Sequence, residues 1–427
     1  MDKKVLIITY YWPPAGGPGV QRWLKFVKYL PDFGIQPIVY IPDNPEYPTR
    51  DEILVDEVSP KAIIIRKKIL EPYSIAAFFS GNKIKKISSG IIPNKRKQTF
   101  SEKLALWIRG NLFIPDARVF WVAPSVKFLR KYIAENNVET IITSGPPHSL
   151  HLIGLRLKKQ MNVKWIADFR DPWTTIGYHS DLKLSKYAQR KHKKMESDVL
   201  RSANQILVTS NTTKSEFSKL TNKPIHVITN GYDLELPSAH KLDAKFSIAH
   251  IGSLLSQRNP VFLWEVLAEI IREVPTFAGH FEFKLIGNVS RNVRETISAY
   301  KLDAYVNAIG YVSHREAVSH QRASQVLLLV EINSAETKSI IPGKLFEYMV
   351  SGRPIIGIGP TGSDFAEIIK NTNTGIYVDY SERAALKSAI LKYYSEYLQG
   401  TLKSEAVGLQ QYSRKNLTKK LAELLNG

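Results

Sequence analysis

The segment IPGKLFEYMVSGRPIIGIGP, residues 341–360, is the most informative part of the chain for its fold. Pro342 and Gly343 break the chain, a helical pattern follows, Gly352 stops the helix, and an apolar strand begins after Pro354. A helix joined in this way to a buried strand is typical of a parallel α/β sheet. Such sheets bind ligands at the carboxyl ends of their strands, where a phosphate gains from the N–H groups of a helix N-terminus.

Two charged residues of this stretch suit a bound nucleotide. Lys344 stands at the start of the helix, where a lysine can face a phosphate. Glu347 lies one turn along, where a carboxylate can accept two hydroxyl groups of a ribose. A single glutamate on a helix is more often a solvated surface residue, and that alternative stays open for Glu347.

The alternation of short β-rich runs and helical patterns continues along almost the whole chain, which predicts doubly wound parallel sheets. Helical patterns cover residues 20–32, 125–136, 150–160, 186–202 and 404–425. The polar segment 232–244 contains Pro237 and few periodic apolar positions, so it predicts a linker. We therefore predict an α/β protein with two Rossmann-like domains, 1–236 and 237–403. The strand-like runs are VLIITYYW, PIVYIP, AIIIRKK, ETIITSG, KWIADF, NQILVTS, HVITNG, FSIAHIGS, FEFKLIGN, VNAIGYV, QVLLLVE, PIIGIGP and GIYVDY.

Length and composition agree with this division. A chain of 427 residues is too long for one ordinary domain, and 44% hydrophobic residues can supply real cores. The absence of cysteine excludes disulfides, thiolate metal sites and a cysteine nucleophile. The apolar run at the N-terminus is short and ends in prolines, unlike a signal peptide, and no apolar run reaches 18 residues. We expect a cytoplasmic protein.

The positive charge is concentrated in the first half of the chain. Residues 1–231 contain 37 Lys and Arg against 19 Asp and Glu, whereas residues 232–427 contain 22 against 20. Residues 61–97 hold ten basic residues, one acidic residue and several large apolar ones. This mixture suits an anionic membrane surface, so we expect the protein to lie at the inner face of the plasma membrane. A solvated loop is the alternative, and no nucleic-acid module accompanies the charge, so no nucleic-acid partner is expected.

A glycine-rich loop follows the first strand. Gly16, Gly17 and Gly19 allow a backbone turn before the first helix and would let N–H groups approach an anion. A plain tight turn is the alternative. The spacing is not that of a dinucleotide loop, because Arg22 occupies the position of the third glycine, and this argues against hydride transfer.

Charged residues follow two further strands. In IGSLLSQRNP, residues 251–260, a buried strand ends at Gly252 and Arg258 precedes a helix, where its guanidinium could grip phosphate oxygens bidentately. In WIADFRDPW, residues 165–173, Asp168, Arg170 and Asp171 are costly to bury unpaired, so they either pair with one another or face a ligand. No spacing of histidines and carboxylates argues for a metal site.

These motifs, in this order, resemble glycosyltransferase family 4, whose members are retaining enzymes of the GT-B fold. The family has two glutamates eight positions apart before a Tyr, a Gly and a Pro; here the second is Glu347 and the first position holds Ser339. The Gly-Gly loop and the segment 206–235, with Asn230 before a Gly, are also similar. Of the family's two basic residues after the Gly at 252, the first is replaced by Ser253.

The resemblance implies two domains facing across a cleft, with the C-terminal helix, about 404–427, packing back on the first domain. It implies a metal-independent hexosyl- or related glycosyltransferase that moves a sugar, with retention, from a nucleotide-diphosphate sugar to a saccharide or lipid-linked acceptor, in cell-surface polysaccharide or glycolipid synthesis. No cofactor is implied beyond the donor substrate. The residues expected to bind the donor or border the acceptor are Gly16, Gly17, Gly19, Gly252, Arg258, Lys344, Leu345 and Glu347, and those expected to act in catalysis are Asp168, Arg170, Asp171, Arg258 and Lys344.

Three other functions stay open. An inverting GT-B enzyme or a sugar-nucleotide epimerase would use Asp168 or Asp171 as a general base. A sugar-nucleotide-binding protein without turnover would account for Ser339 and Ser253 at positions where the family prefers charge.

Overall fold

The computed structural model describes residues 2–71, 100–175, 182–233 and 241–427. The chain divides into two compact units, one formed by Met1–Asn230 with Arg414–Gly427 and the other by Gly231–Ser413. The first unit therefore ends at residue 230, six residues before the predicted boundary. Part of the predicted linker and most of the basic segment 61–97 lie outside the described residues.

The first unit is built on a seven-stranded parallel sheet with the order β3-β2-β1-β4-β5-β6-β7. The first residues of neighbouring strands lie nearly level with one another. Val5 of β1, for example, pairs with Pro37 of β2 on one side and with Thr140 of β4 on the other. The strands are β1 (Lys3–Ile8), β2 (Ile35–Pro42), β3 (Ile63–Lys67), β4 (Thr140–Gly145), β5 (Lys164–Phe169), β6 (Gln205–Val208) and β7 (Ile225–Val227).

Helices cover both faces of this sheet. Strand β1 shows why, because Val5 and Ile7 belong to one apolar cluster and Leu6 and Ile8 to another. Successive side chains of a strand point to opposite faces, so a strand buried on both faces reads as a continuous apolar run. The helices are α1 (Pro18–Tyr29), α2 (Phe100–Asn111), α3 (Val122–Asn136), α4 (Ser149–Gln160), α5 (Lys186–Ser202) and α6 (Asn211–Ser218).

The second unit repeats the design with a six-stranded parallel sheet of order β10-β9-β8-β11-β12-β13. Its strands are β8 (Phe246–Ile251), β9 (Phe281–Ile286), β10 (Val306–Gly310), β11 (Val326–Val330), β12 (Ile355–Gly359) and β13 (Gly375–Asp379). Its helices are α7 (Val261–Glu273), α8 (Pro275–His280), α9 (Arg291–Ala299), α10 (His314–Ala323), α11 (Lys344–Met349), α12 (Asp364–Thr372) and α13 (Arg383–Leu398). Every strand predicted from the sequence is therefore confirmed.

The last helix, α14 (Arg414–Asn426), belongs to the first unit. It packs against α1, and Leu417, Leu421 and Leu425 enter the same apolar cluster as Val5. Lys164 donates a 3.0 Å hydrogen bond to the carbonyl of Leu424, at the helix end where cations are favourable. The predicted start at residue 404 is wrong, since residues 401–407 have no regular structure and Gly408 adopts a positive φ of 65° before a 3₁₀ turn.

Among the described residues, no helix combines the length and the apolar character that crossing a bilayer requires.

Candidate functional site

The strand order of the second unit places a ligand crevice between β8 and β11. From β8 the chain moves to one side of the sheet through β9 and β10, and from β11 it moves to the other side through β12 and β13. At such a switch point the loops that leave the two central strands diverge, and ligands bind outside the carboxyl ends of those strands. Gly252 follows β8 and Glu331 follows β11.

Lys344 reaches this crevice from the start of α11. Its ammonium group donates a 2.7 Å hydrogen bond to the carbonyl of Ile251, the last residue of β8. Burial, with a further contribution from the positive charge of Arg258, lowers the pKa of Lys344 to about 8. A lysine held here with a lowered pKa gains by meeting an anion, because a nearby negative charge restores its protonated form.

Arg258 lies at the same crevice, paired with Glu331. Its Nη2 is 3.0 Å from Oε1 of Glu331 and its Nε is 3.1 Å from the same oxygen. The Arg258 side chain is 33% exposed, whereas the Glu331 side chain is 1% exposed. Solvent or a ligand can therefore reach the guanidinium of this ion pair, while the carboxylate is buried. Glu331 is not among the site residues predicted from the sequence. The available signal was an acidic residue directly after the apolar run VLLLV, at the carboxyl end of a buried strand.

Gly252 lies directly against Lys344, and its predicted contact with the donor stays a prediction. Its N–H donates to the carbonyl of Ile286 at 2.6 Å, so this N–H group is already used within the sheet. Its φ is +119°, and a Cβ at this position would lie 2.5 Å from Nζ of Lys344. Gly252 therefore makes room for the lysine.

Leu345 and Glu347 of α11 have different surroundings. The Leu345 side chain is fully buried in the apolar core, and its N–H donates to the carbonyl of Pro342 at 2.9 Å, so neither group is available to a nucleotide. Glu347 is half-buried one turn after Lys344 on α11, a helix of six residues. Its Oε2 accepts a 3.0 Å hydrogen bond from Nε2 of Gln321.

The first unit has its own switch point, between β1 and β4. Arg170, which follows β5, connects the loops on both sides of this point. Its Nη1 donates to the carbonyl of Gly19 at 2.8 Å, and its Nη2 donates to the carbonyl of Pro146, in the loop after β4. A Cβ at residue 19 would lie 2.5 Å from Nη1 of Arg170, so this glycine makes room for the guanidinium.

The other predicted glycines of this loop shape the backbone. Gly17 has a φ of +93° and precedes the first residue of α1, a conformation that favours glycine. The N–H of Gly16 donates to the carbonyl of Thr49 at 3.0 Å, which corrects the prediction that this group is free to meet an anion.

Asp168 is held by buried partners in this structure, and its role in catalysis stays a prediction. Its carboxylate is fully buried and accepts hydrogen bonds from Arg22 at 2.8 Å, Trp23 at 2.8 Å and Ser144 at 2.9 Å. Burial alone would raise its pKa, but the Arg22 charge and these hydrogen bonds together lower it. Arg22 also donates to the carbonyl of Ile228 at 2.7 Å, so the pair joins α1, β5 and the chain after β7.

Asp171 directly follows Arg170 in the chain, and its carboxylate is half-buried. Burial raises its pKa, although the positive charge of Arg170 opposes this effect. In the described part of the chain, no group of three or more His, Asp or Glu side chains is placed to hold a metal ion.

Both halves of the sequence match family models. Residues 245–396 match the family described as "Glycosyl transferases group 1", and residues 91–236 match the family described as "Glycosyltransferase Family 4". A search of curated proteins finds no match.

Solved structures with the same fold cover nearly the whole chain. A glycosyltransferase from Rickettsia africae has 17% identity and a TM-score of 0.57, with coverage of 99% of this chain and 97% of that chain. A point mutant of S. aureus TarM, in complex with fondaparinux, α-GlcNAc-glycerol and UDP, has 12% identity and a TM-score of 0.59, with full coverage of both chains. A putative UDP-N-acetylglucosamine 2-epimerase from Listeria monocytogenes has 12% identity and a TM-score of 0.56, covering 100% and 96%.

The two family matches and the two parallel-sheet units agree on one assignment, and they confirm the resemblance drawn from the motifs. The chain belongs to the group 1, family 4 glycosyltransferases and has the GT-B fold.

Proposed function

We propose that this glycosyltransferase takes its sugar from a nucleotide-diphosphate sugar bound at the β8–β11 crevice of the second unit. The observation that carries the proposal is the meeting of Lys344 and Arg258 at one switch point, with Glu347 one turn along α11. Two cations at the carboxyl ends of parallel strands suit a diphosphate. The half-buried carboxylate of Glu347 suits the hydroxyl groups of a ribose.

Catalysis would consist mainly of stabilising the departing nucleoside diphosphate. Negative charge grows on the leaving group in the transition state, so fixed cations near it lower the barrier. We propose that Lys344 exchanges its hydrogen bond to Ile251 for one to a phosphate oxygen, which would raise the lysine pKa from about 8 toward its ordinary value. We further propose that these cations serve without a metal ion.

We propose that transfer proceeds with retention. Family resemblance supports this stereochemistry. Because Asp168 is saturated by Arg22, Trp23 and Ser144, it is unsuited to act as a nucleophile or base. The acceptor hydroxyl would then attack from the face that the diphosphate leaves, and a phosphate oxygen would take its proton.

The first unit would hold the acceptor, which we propose to be a hexose-containing saccharide or a lipid-linked saccharide of the cell surface. Arg170 and the half-buried Asp171 stand at its strand ends, where polar side chains can bind hydroxyl groups. The positive excess of residues 1–231 supports contact with an anionic membrane on the cytoplasmic side. Flotation with liposomes with and without anionic lipid tests this contact, and equal recovery with both would contradict it.

A transfer screen tests the donor proposal. The protein is incubated with a panel of UDP-, GDP- and CDP-sugars and a mixture of lipid and saccharide acceptors, and products are detected by mass spectrometry. UDP and GDP affinities are measured in parallel by calorimetry for the wild type and for Glu347→Ala. We expect nucleotide affinity to fall in this variant and to stay unchanged in Glu367→Ala, which removes an exposed glutamate from the first turn of α12. Unchanged affinity in Glu347→Ala would remove this residue from the site.

The same screen separates transfer from epimerisation. The Listeria structure named as a putative epimerase has the same fold, so fold alone does not decide between the two reactions. An epimerase changes the sugar of the nucleotide without an acceptor, whereas a transferase needs an acceptor to consume the donor. Consumption of the donor into an isomeric nucleotide sugar would contradict the proposal.

A further inference from the structure

We propose that Glu331 is a positioning residue for the donor site, which orients Arg258 so that one edge of its guanidinium stays available to the diphosphate. This inference rests on the proposed function and adds a residue to it. Glu331 does not lie in the motif that identified the site, and its pairing with Arg258 joins positions 73 residues apart.

The carboxylate of Glu331 is rigidly held. Its own backbone is tied on both sides, since its N–H donates to the carbonyl of Ile358 at 2.8 Å and its carbonyl accepts from the hydroxyl of Tyr380 at 2.8 Å. The side chain is fixed in turn by the N–H of Ile332, which donates to Oε1 at 2.8 Å. The Glu331 carboxylate is 1% exposed and held by these hydrogen bonds, so its position determines the orientation of the more exposed Arg258 side chain.

The pairing leaves part of the guanidinium free to act. Arginine has five N–H donors in a planar fork. Glu331 takes the Nε donor at 3.1 Å and one Nη2 donor at 3.2 Å. The two donors of Nη1 and the second donor of Nη2 remain. One donor of each nitrogen points from the end of the guanidinium, and this end-on pair can bind phosphate oxygens bidentately. Glu331 therefore orients Arg258 and still leaves the N–H donors that an anion would use available.

Glu331 also balances charge around Lys344. The charged and titratable groups that act on this lysine are Arg258, Glu331 and Glu347, and His250 of β8 lies close enough to feel the lysine charge. Arg258 lowers the lysine pKa, whereas the two carboxylates raise it. Removing the Glu331 charge should therefore move the lysine pKa further below about 8. Packing alone would not produce this effect.

A double-mutant cycle tests the inference. UDP and GDP affinities are measured by calorimetry for the wild type, Glu331→Gln, Glu331→Ala, Arg258→Ala and the two double variants. Gln keeps the size of the side chain and one acceptor oxygen, so it stays informative if Ala disturbs folding. At about pH 6, where Lys344 stays protonated in every variant, we expect Glu331→Ala to weaken UDP or GDP binding about tenfold and to have less than about a twofold effect in the Arg258→Ala background, because the residue then acts only through Arg258.

The pH profile supplies the second readout. We expect the decline of affinity that accompanies deprotonation of Lys344 to begin at lower pH in Glu331→Gln than in the wild type. Equal losses for the Glu331 substitutions with and without Arg258, or a pH profile unchanged by Glu331→Gln, would overturn the inference while leaving the donor proposal intact. A wild type that binds none of UDP, GDP and CDP would instead overturn the donor proposal, and this inference with it.

Discussion

The ammonium group of Lys344 occupies the space that a side chain on Gly252 would need. A Cβ at residue 252 would lie 2.5 Å from Nζ, and the glycine itself has a φ of +119°. The lysine also donates a hydrogen bond to the carbonyl of Ile251, which lies 93 positions earlier in the sequence. The end of β8 and the Lys344 side chain therefore pack closely together.

Gly252→Ala should therefore damage the site more than the fold. The new methyl group would push the lysine ammonium out of place, and we expect UDP or GDP affinity to fall about tenfold. The positive φ should cost about 1 kcal/mol of folding free energy. Gly400→Ala is the control for a positive φ alone, because its φ is +69° with nothing within 4 Å; it should lose no more stability than Gly252→Ala and no affinity. Calorimetry and urea unfolding measure the two effects, and equal affinity losses in both variants would contradict the prediction.

Nucleotide affinity should depend on pH through Lys344. The pKa of Lys344 in the protein without a nucleotide is about 8, and a bound phosphate raises it. Binding is therefore strongest below pH 8 and weakens as pH rises above this value. Lys344→Arg should bind with little pH dependence between about 7 and 10, since a guanidinium stays protonated. Calorimetry across this range checks the prediction. A wild-type affinity that is constant over the same range would exclude the lysine from phosphate contact.

The buried pair of Arg22 and Asp168 should contribute to stability. Asp168→Asn leaves the Arg22 guanidinium, which has 1% exposure, without its counter-charge, and breaking such a pair costs about 3–5 kcal/mol. Asp198→Asn is the control, because Asp198 pairs with Lys194 at 2.7 Å on an exposed helix surface and should cost less than about 0.5 kcal/mol. Urea unfolding gives both values. A stable Asp168→Asn protein without activity would restore Asp168 as a catalytic candidate.

Acid should destabilise the first unit through buried histidines. Burial lowers the pKa of His151 to about 3 and that of His192 to about 4, below the ordinary value of 6.5. The unfolded chain therefore binds protons between pH 6.5 and 4 that the native state excludes, so this stability is present above pH 6.5 and is lost as pH falls. For His192 the loss should approach about 3 kcal/mol at pH 4.

His192→Gln isolates this effect, because a glutamine can still accept the hydrogen bond that Trp173 donates to the imidazole at 3.1 Å. We expect the free energy of unfolding to fall less steeply with acid in this variant than in the wild type. The exposed His314, changed to Gln, is the control substitution. Urea unfolding at about pH 7, 6 and 5 compares the three proteins, and parallel slopes in all of them would show that His192 does not titrate differently on folding.

The sequence was sufficient for the architecture because parallel strands covered on both faces are apolar at every position. Runs such as VLLLV therefore mark buried strands without any knowledge of their neighbours. Helix ends were less predictable. The last helix begins at Arg414 because Gly408 turns the chain with a positive φ, although the apolar pattern before it continues.

The candidate site was only partly predictable. Lys344 could be placed at a helix start and Arg258 in the loop after a strand, since prolines and glycines mark where strands and helices stop. The local sequence did not reveal that Leu345 packs into the core, that the Gly16 N–H is taken by Thr49, or that Asp168 is paired with a residue 146 positions away. Each of these outcomes depends on a partner that is distant in the chain.

Local sequence is sufficient for the alternation of strands and helices, the two-domain α/β class and the motif order that identifies the family, because these depend on periodicity and on residues close together in the chain. Only the tertiary structure decided which charges face the crevice and which are buried as partners. A charge in a protein interior is stable only beside its counter-charge, and the sheet order brings Glu331 to Arg258 and Asp168 to Arg22 across long stretches of sequence.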